Sequence, residues 1–254
     1  MRIGIVSAMG SERSRIQALL KNAREARAGD GGFVAADGFG PRLPGEEAGR
    51  VYHVGAIGRN EAVVAETGIG KVNAAVGAAE LIRAWRPDCL VSTGVAGGLD
   101  PALDVMDVDV GAEVVYHDVD CGPGNIPGQV QGLPPVFAGD PVLLECAKAV
   151  RAESRVAAGL ICSGDEFVSG RQRLEAIKSR HAAALAVDME SGALAQVCLL
   201  YGVPFLSFRI LSDTPGAADH FKQYNDFWKM MADRSFGVTE AFLHSLPQEL
   251  SKNG

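Results

Sequence analysis

The chain has 254 residues, 47% of them hydrophobic and 22% charged, which is typical of a globular protein and excludes a disordered or collagen-like chain. Its formal net charge is −7 and it contains no basic block, so we expect no long nucleic acid as a partner. We also expect no export signal and no membrane partner, because the first apolar run is short and none approaches the roughly 18 apolar residues of a membrane-spanning helix.

Short runs rich in valine and isoleucine alternate with helical patterns along the first half of the chain. The predicted strands are 2–9, 51–57, 61–67, 88–94 and 105–116, the last of them alternating as a partly exposed strand. Apolar residues at helical spacing predict a buried helix over 71–85, and another helix is expected to begin near Glu12. Residues 28–50 have the composition of an expanded surface hairpin or loop.

The second half continues this alternation after a segment rich in glycine and proline, 121–139, which predicts a long irregular loop. The elements predicted beyond it are a helix near 140–152, a strand at 155–162, a helix from Arg171, a short strand at 185–188 leading into a helix, and a strand at 204–213. A final amphipathic helix carries Phe227, Met230, Met231 and Phe236. Since no linker interrupts the pattern, we predict a single three-layer α/β/α domain over 1–254, built on a mainly parallel mixed sheet.

The five cysteines are widely spaced and form no CxxC pair. An odd number with this spacing argues against a disulfide framework and against a zinc site. Four of them sit in apolar runs, which indicates small buried residues in a reducing cytoplasm.

Polar residues follow several of the predicted strands, where ligands bind in open α/β sheets. These strand ends are Glu12, the turn 93–98, the triplet 188–190 and the pair 212–213. Three carboxylates meeting at one rim could divide acid, base and hydroxyl-binding roles, as hydrolysis or group transfer at a sugar carbon requires. Structural roles stay open for each, because Glu12 and Glu190 fall in first helical turns and Asp213 suits a turn or a cap.

The segment GIGKVNAA at 68–75 superficially matches a dinucleotide-binding fingerprint. Its third glycine position is Asn73, and no acidic residue ends the next strand. A tight strand-to-helix turn is the better interpretation. A nicotinamide-dependent oxidoreductase stays as a weaker alternative.

Taken together, seven segments resemble the 5′-methylthioadenosine/S-adenosylhomocysteine nucleosidases of the purine nucleoside phosphorylase superfamily. They are IGIVSAMGSE (3–12), ETGIGKVNAA (66–75), STGVAGGLDPAL (92–103), YHDVD (116–120), GLICSGDEFVSG (159–170), AVDMESGALAQVC (186–198) and VPFLSFRILSD (203–213). The ordered motifs SGDxF, xMExxA and RxxSD are specific for the superfamily, and AMxxE is more specific for the nucleosidases. The resemblance runs from Met1 to about Leu243, and residues 28–50 and 121–139 match poorly.

The resemblance implies a nucleoside phosphorylase-like fold and a cofactor-free reaction. Asp213 would be the general acid that protonates purine N7, and Glu12 would hold and deprotonate the attacking water. Glu190 would bind the ribose hydroxyls.

The other site residues follow from the same resemblance. Phe167 would stack on adenine, the Val168 backbone would read the base edge, and Met189 would pack under the sugar. We expect Tyr224, and with less support Phe227, to wall the pocket for the 5′ group. The remaining expected substrate-binding residues are Met9, Val95, Ala96, Gly97, Asp188 and Ser212.

Some positions depart from the family pattern. Val95 is the third residue of the TGxAGG turn, where hydroxyl side chains are frequent. Phosphorylases of the superfamily bind phosphate with an arginine and a serine around this turn, and here Ser92 and Val95 stand there, which favours water as the acceptor. Asp188 replaces a more usual glutamate, and Gly124 stands where an aromatic residue is expected.

We therefore predict a cytoplasmic, homodimeric N-ribosyl hydrolase of adenosine thioethers. The alternatives are a phosphorylase, a hydrolase of another 5′-modified nucleoside such as a futalosine, or a nucleoside-binding protein without turnover. The dimer expectation rests partly on the loop 121–139, whose apolar side chains, including Ile126 and Leu133, should pack on a second subunit. The alternative is that this loop folds onto its own chain.

Overall fold

The computed structural model describes residues 1–27, 50–214, 217 and 219–250. We expected residues 28–50 to form a surface hairpin or loop, and all of them except Arg50 lie outside the described residues. The side chains of Met230 and Met231, which we expected on the apolar face of the last helix, also lie outside them.

Within the described residues, ten strands form one mixed sheet. They are β1 Arg2–Ser7, β2 Lys21–Arg27, β3 Val51–Ile57, β4 Asn60–Glu66, β5 Cys89–Gly98, β6 Val108–Tyr116, β7 Phe137–Ala138, β8 Val156–Ser163, β9 Ala184–Asp188 and β10 Phe205–Asp213. Their spatial order is β10-β6-β8-β9-β5-β1-β4-β3-β2, with β7 beside β6. A further pairing of β10 with β5 closes β5, β10, β6, β8 and β9 into a ring, and the remaining strands extend from it as an open sheet.

Parallel pairing joins β4, β1, β5 and β10 in one row and β6, β8 and β9 in another. The two rows meet through antiparallel pairs of β10 with β6 and of β5 with β9. Because parallel strands end at the same edge, the row from β4 to β10 brings several strand ends to one rim.

Helices cover both faces of the sheet. They are α1 Gly10–Ala18, α2 Lys71–Trp85, α3 Pro141–Lys148, α4 Arg171–Arg180, α5 Ser191–Tyr201, α6 His220–Asp226 and α7 Ala232–Ser245, with a π-helical segment, Phe227–Met231, between the last two. Along β1, Ile3 and Ile5 face a core shared with α1, α3 and α7, and Val6 faces a core shared with α2 and α5. This alternation confirms the expected three-layer α/β/α arrangement.

Three elements differ from the sequence-based expectation. Strand β2 was not predicted, because six of its seven residues are exposed and its sequence lacks apolar alternation. The expectation of partial exposure in β6 was wrong except at Ala112 and Glu113, because α3 and α5 pack against this strand. The closing helix is divided by the π-helical segment instead of being continuous.

The loop 121–139 folds largely onto its own chain. Val130 and Leu133 pack against the core shared with α2 and α5, and Phe137 is buried in that core. Ile126 is 54% exposed. These apolar side chains, except Ile126, therefore give no support to a contact with a second subunit.

In the described ranges, no helix combines the length and apolar character that a bilayer crossing requires.

Candidate active site

A cavity of about 120 Å³ opens at the carboxyl ends of β1, β5, β9 and β10. All of the predicted site residues except Ser212 and Phe227 line it, namely Met9, Glu12, Val95, Ala96, Gly97, Phe167, Val168, Asp188, Met189, Glu190, Asp213 and Tyr224. Ser212 donates its hydroxyl to Asp213. Ile69 and Glu166 also line this cavity.

Glu12 combines a capping role with a position at the cavity wall. In the first turn of α1, its Oε2 accepts hydrogen bonds from the backbone N–H of Ala8 (3.1 Å) and Met9 (3.0 Å). Its Oε1 accepts from the backbone N–H of Val95 in β5 at 3.1 Å. These contacts fix the Glu12 carboxylate between β1 and β5. The same position therefore lets Glu12 cap α1 and line the cavity. Burial raises the pKa of Glu12, while the positive charge of Arg209 and the backbone N–H groups oppose this rise.

Gly94 leaves the space in which this carboxylate lies. A Cβ atom at this position would stand 2.6 Å from Glu12 Oε1 and 2.7 Å from Arg209 Nη1. Both distances are shorter than any normal van der Waals contact, so the glycine lets a carboxylate and a guanidinium approach the backbone of β5.

Glu190 stands at the N-cap position of α5, yet its side chain makes no capping hydrogen bond. Its Oε1 instead accepts from the backbone N–H of Gly70 at 2.9 Å, across a sequence separation of 120 residues. Gly70 has φ +91°, a conformation that favours glycine. Gly70 belongs to the segment 68–75 that superficially matches a dinucleotide-binding fingerprint, and its backbone N–H holds the Glu190 carboxylate at the cavity. Burial, followed by the negative charge of Asp188, raises the pKa of Glu190 to about 7.

Asp213 ends β10 and has a close partner for each carboxyl oxygen. The Ser212 hydroxyl donates to Oδ1 at 2.6 Å, and His220 Nε2 lies 3.0 Å from Oδ2. Burial raises the pKa of Asp213, and the contacts with Ser212 and His220 oppose this rise. A buried carboxyl with a raised pKa holds its proton closer to neutral pH, as a general acid must.

Arg209 forms a buried ion pair beneath the cavity. Its Nε donates to Asp188 Oδ2 at 2.8 Å, and its Nη2 donates to the Ser92 hydroxyl at 2.8 Å. Asp188 also accepts from the Ser191 backbone N–H at 3.2 Å and from the Ser191 hydroxyl. Asp188, which stands where glutamate is more usual, therefore directs its carboxylate at the Arg209 guanidinium. The residue nevertheless lines the cavity.

Asp109 lies directly across from Arg209 in the antiparallel pairing of β6 with β10. It is completely buried, and within the described residues no side chain pairs with its carboxyl oxygens. Burial, with a smaller contribution from the negative charge of Asp188, raises the pKa of Asp109 to about 8. The positive charge of Arg209 interacts with Asp188, Glu190 and Glu12, and burial favours the protonated form of Asp109 near neutral pH.

An aromatic cluster lies at the cavity, and two of its members, Phe167 and Tyr224, line it. The ring centroid of Phe167 lies 5.4 Å from His220, 5.7 Å from Phe221 and 5.6 Å from Tyr224. Phe167 is 44% exposed, which leaves a face free for a ligand. Phe227 does not line this cavity and is buried in the core beside α7, as expected of a core-facing residue of the last helical region.

Sequence reasoning assigned no role to Arg209, His220 or Asp109. Arg209 had a visible signal, since it opens the RxxSD motif, and a charged residue in a strand that is otherwise apolar requires a partner. Asp109 carries the same kind of signal in β6. Nothing in the sequence indicates that His220 approaches Asp213, because that contact depends on how the chain folds back after β10.

Comparison with known proteins agrees with this geometry. The profile of the phosphorylase superfamily matches residues 2–244. A 5′-methylthioadenosine/S-adenosylhomocysteine nucleosidase of Chromohalobacter salexigens is 37% identical over 250 residues, which cover 96% of this chain and 97% of that protein. The chain belongs to this nucleosidase family.

Solved structures extend the comparison to three dimensions. The nucleosidase of Colwellia psychrerythraea, in complex with adenine, superposes with a TM-score of 0.85 at 31% identity and covers 99% of this chain and 98% of that one. A futalosine hydrolase mutant of Helicobacter pylori superposes with a TM-score of 0.81 at 28% identity, covering 97% and 100%. The nucleosidase fold expected from the sequence is confirmed.

Proposed function

We propose that this chain hydrolyses the N-glycosidic bond of 5′-methylthioadenosine and S-adenosylhomocysteine, releasing adenine and the 5′-thioribose. One observation carries the proposal beyond family membership. Glu12, Glu190 and Asp213 come from three distant segments and line a single cavity, and the pKa of each carboxyl is raised by burial.

In the proposed reaction, Asp213 gives its proton to N7 of the purine as the bond between C1′ and N9 breaks. The bonding electrons pass to the purine, which therefore leaves as a neutral base. General acid catalysis of this kind contributes about 10²- to 10⁴-fold in rate. The buried position of the carboxyl, with Ser212 fixing Oδ1, supports this role.

Glu12 takes a proton from water as the water attacks C1′. For this step Glu12 must be ionised, and the N–H groups of Ala8, Met9 and Val95 stabilise that form. The negative charges of Glu12 and Glu190 also stabilise the positive charge that develops on the sugar in an oxocarbenium-like transition state. The charges around the sugar therefore favour both the action of Glu12 as a base and the formation of the transition state.

Glu190 binds the ribose hydroxyls and Met189 packs under the sugar. Phe167 stacks on the adenine, beside the backbone of Val168, and Tyr224 lies at the end that receives the 5′ group. The half-exposed ring of Phe167 supports its stacking role. Water is the acceptor, because Ser92 is already bound by Arg209 and Val95 offers a phosphate no hydroxyl.

The substrate is tested by measuring adenine release from methylthioadenosine, S-adenosylhomocysteine and adenosine in phosphate-free buffer. We expect the highest kcat/KM for one of the two thioethers. Futalosine belongs in the same panel, because a futalosine hydrolase shares the fold with a TM-score of 0.81. Faster turnover of futalosine than of both thioethers would replace the proposed substrate.

We further propose that the protein is a single-domain homodimer of the cytoplasm. Its five cysteines are unpaired, which suits a reducing compartment. Helices α2 and α5 pack together, and each leaves large apolar side chains exposed, with Val72 at 74% and Leu200 at 64%. Such a surface, continued by Leu199 and Tyr201, supports a two-fold interface between copies of the chain.

A further inference from the structure

Both carboxyl oxygens of Asp213 have a close polar neighbour. Oδ1 accepts a hydrogen bond from the Ser212 hydroxyl at 2.6 Å, and Oδ2 lies 3.0 Å from His220 Nε2, which makes no hydrogen bond of regular geometry. A general acid must present one of its oxygens to the base that it protonates. A purine nitrogen that takes its proton from Oδ2 has to enter the place that His220 Nε2 now occupies.

Ser212 is the less mobile of the two partners. It lies in β10, next to Asp213 in the chain, its side chain is almost completely buried, and β10 is paired with both β5 and β6. His220 is the first residue of α6, a helix of only seven residues that comes after β10 in the chain. Movement of α6 removes His220 without disturbing the sheet, so the contact with His220 is the one that breaks.

His220 also packs against the aromatic ring at the cavity. Its ring lies 5.4 Å from Phe167, which lines the cavity and is expected to stack on the base, and 5.0 Å from Phe221. The cavity volume of about 120 Å³ is below the ~300–1,000 Å³ of pockets that enclose small-molecule ligands. Displacing His220 would free Asp213 Oδ2 at the wall of this cavity, next to Phe167.

We propose that His220 is a positioning residue that occupies the purine-binding oxygen of Asp213 in the free enzyme, and that N7 of the entering purine displaces it from the protonated carboxyl, which then donates its proton to N7. The inference rests on the proposed function, in which Asp213 protonates N7. Before a ligand enters, His220 keeps the buried carboxyl partnered and holds α6 against Phe167. Each binding event must break this contact, so the contact weakens purine affinity.

The test is a double-mutant cycle on adenine affinity, measured by calorimetry without turnover. His220→Phe keeps an aromatic ring next to Phe167 but removes the ring nitrogen that contacts Asp213, and we expect it to bind adenine about three- to tenfold more tightly than the wild type. In an Asp213→Ala background the same substitution should leave the dissociation constant unchanged, because no contact remains to be displaced. His220→Gln, which keeps a polar group, should restore part of the wild-type weakness.

The control is His244→Phe, the same substitution at an exposed residue of α7, which should leave adenine affinity unchanged. Circular dichroism compares the melting temperatures of all variants. If His220→Phe destabilises the fold, the cycle is carried out with His220→Leu, which also lacks the polar contact with Asp213. In steady-state assays, His220→Phe should lower KM with kcat retained, because His220 is away from Asp213 during the reaction. A purely structural residue would lower kcat and melting temperature together.

The outcomes separate this inference from the proposed function. Adenine that binds with the same affinity to folded wild type and His220→Phe, or a cycle with zero coupling, would overturn the inference and leave the nucleosidase activity standing. Normal turnover by Asp213→Asn would remove Asp213 as the acid, a result that the affinity cycle does not affect. Failure of the wild type to bind adenine would overturn both.

Discussion

At the scale of single residues, the environment of each carboxyl group determines its chemistry. Asp213 and Glu12 are both buried and both have raised pKa values, but their partners differ. Glu12 accepts hydrogen bonds from three backbone N–H groups, and these favour the ionised form that a general base needs. Asp213 accepts a hydrogen bond from one hydroxyl group and lies beside the His220 imidazole. This environment leaves the proton of the Asp213 carboxyl available for transfer.

Replacing Asp213 with asparagine tests the acid directly. The amide preserves the size of the side chain and removes the transferable proton. We expect kcat on methylthioadenosine to fall by about 10²- to 10⁴-fold, with the circular dichroism spectrum unchanged. Asp226→Asn in α6, outside the cavity lining, is the matched control. Turnover by Asp213→Asn close to that of the control would return Asp213 to a structural role at the end of β10.

Gly94 offers a second test at this scale. A methyl group at this position would stand 2.6 Å from Glu12 Oε1, so Gly94→Ala must push the carboxylate away from Val95. Displacement of a catalytic group by about 1 Å costs on the order of 10² in rate, and we expect a fall of this size in kcat/KM. Gly237→Ala, where a methyl group would meet nothing within 4 Å, is the control. Equal activity of the two variants would show that the position of Glu12 does not limit the reaction.

At the scale of elements, the neighbouring strands β6 and β10 each carry a buried charged residue type. Asp109 of β6 faces Arg209 of β10, and burial raises the pKa of Asp109 from 3.8 to about 8. The folded state therefore binds this proton more tightly than the unfolded state. The resulting stabilisation is complete below pH 3.8 and is lost as the pH rises through about 8.

Asp109→Asn imitates the protonated side chain at every pH. We expect little change in thermal stability at pH 5, and at pH 9 a variant more stable than the wild type by about 1–3 kcal/mol. Thermal unfolding followed by circular dichroism at both pH values measures the difference, with the exposed Asp104→Asn as control. The same change in melting temperature at pH 5 and pH 9 would mean that Asp109 does not titrate in this range.

The elements also show where sequence reasoning succeeds and where it stops. Helix α2 was predicted with its observed bounds, because its apolar residues repeat at helical spacing between Gly70 and Pro87. Strand β2 escaped prediction because pairing with β3, and not its own polar sequence, makes it a strand. The carboxylates could be predicted since they follow strands, whereas the approach of His220 to Asp213 depends on the chain reversal into α6, which no local pattern encodes.

At the scale of the whole molecule, the exposed apolar residues of α2 and α5 bear on assembly. We expect the wild type to sediment as a dimer and Leu200→Glu to sediment as a monomer, because a buried charge without a partner is unfavourable at an apolar interface. Ala149→Glu, an exposed position after α3, is the control for added charge. A monomeric wild type, or a dimer that survives Leu200→Glu, would exclude this face as the interface.

The central claim is that this member of a superfamily of phosphorylases transfers the ribosyl group to water. Its most direct test is to incubate the purified protein with methylthioadenosine, with and without inorganic phosphate, and to identify the sugar product by mass spectrometry. We expect adenine and free methylthioribose at the same rate in both buffers, because Glu12 positions water and neither Ser92 nor Val95 is available to phosphate. Adenine release that requires phosphate and yields methylthioribose 1-phosphate would contradict the account.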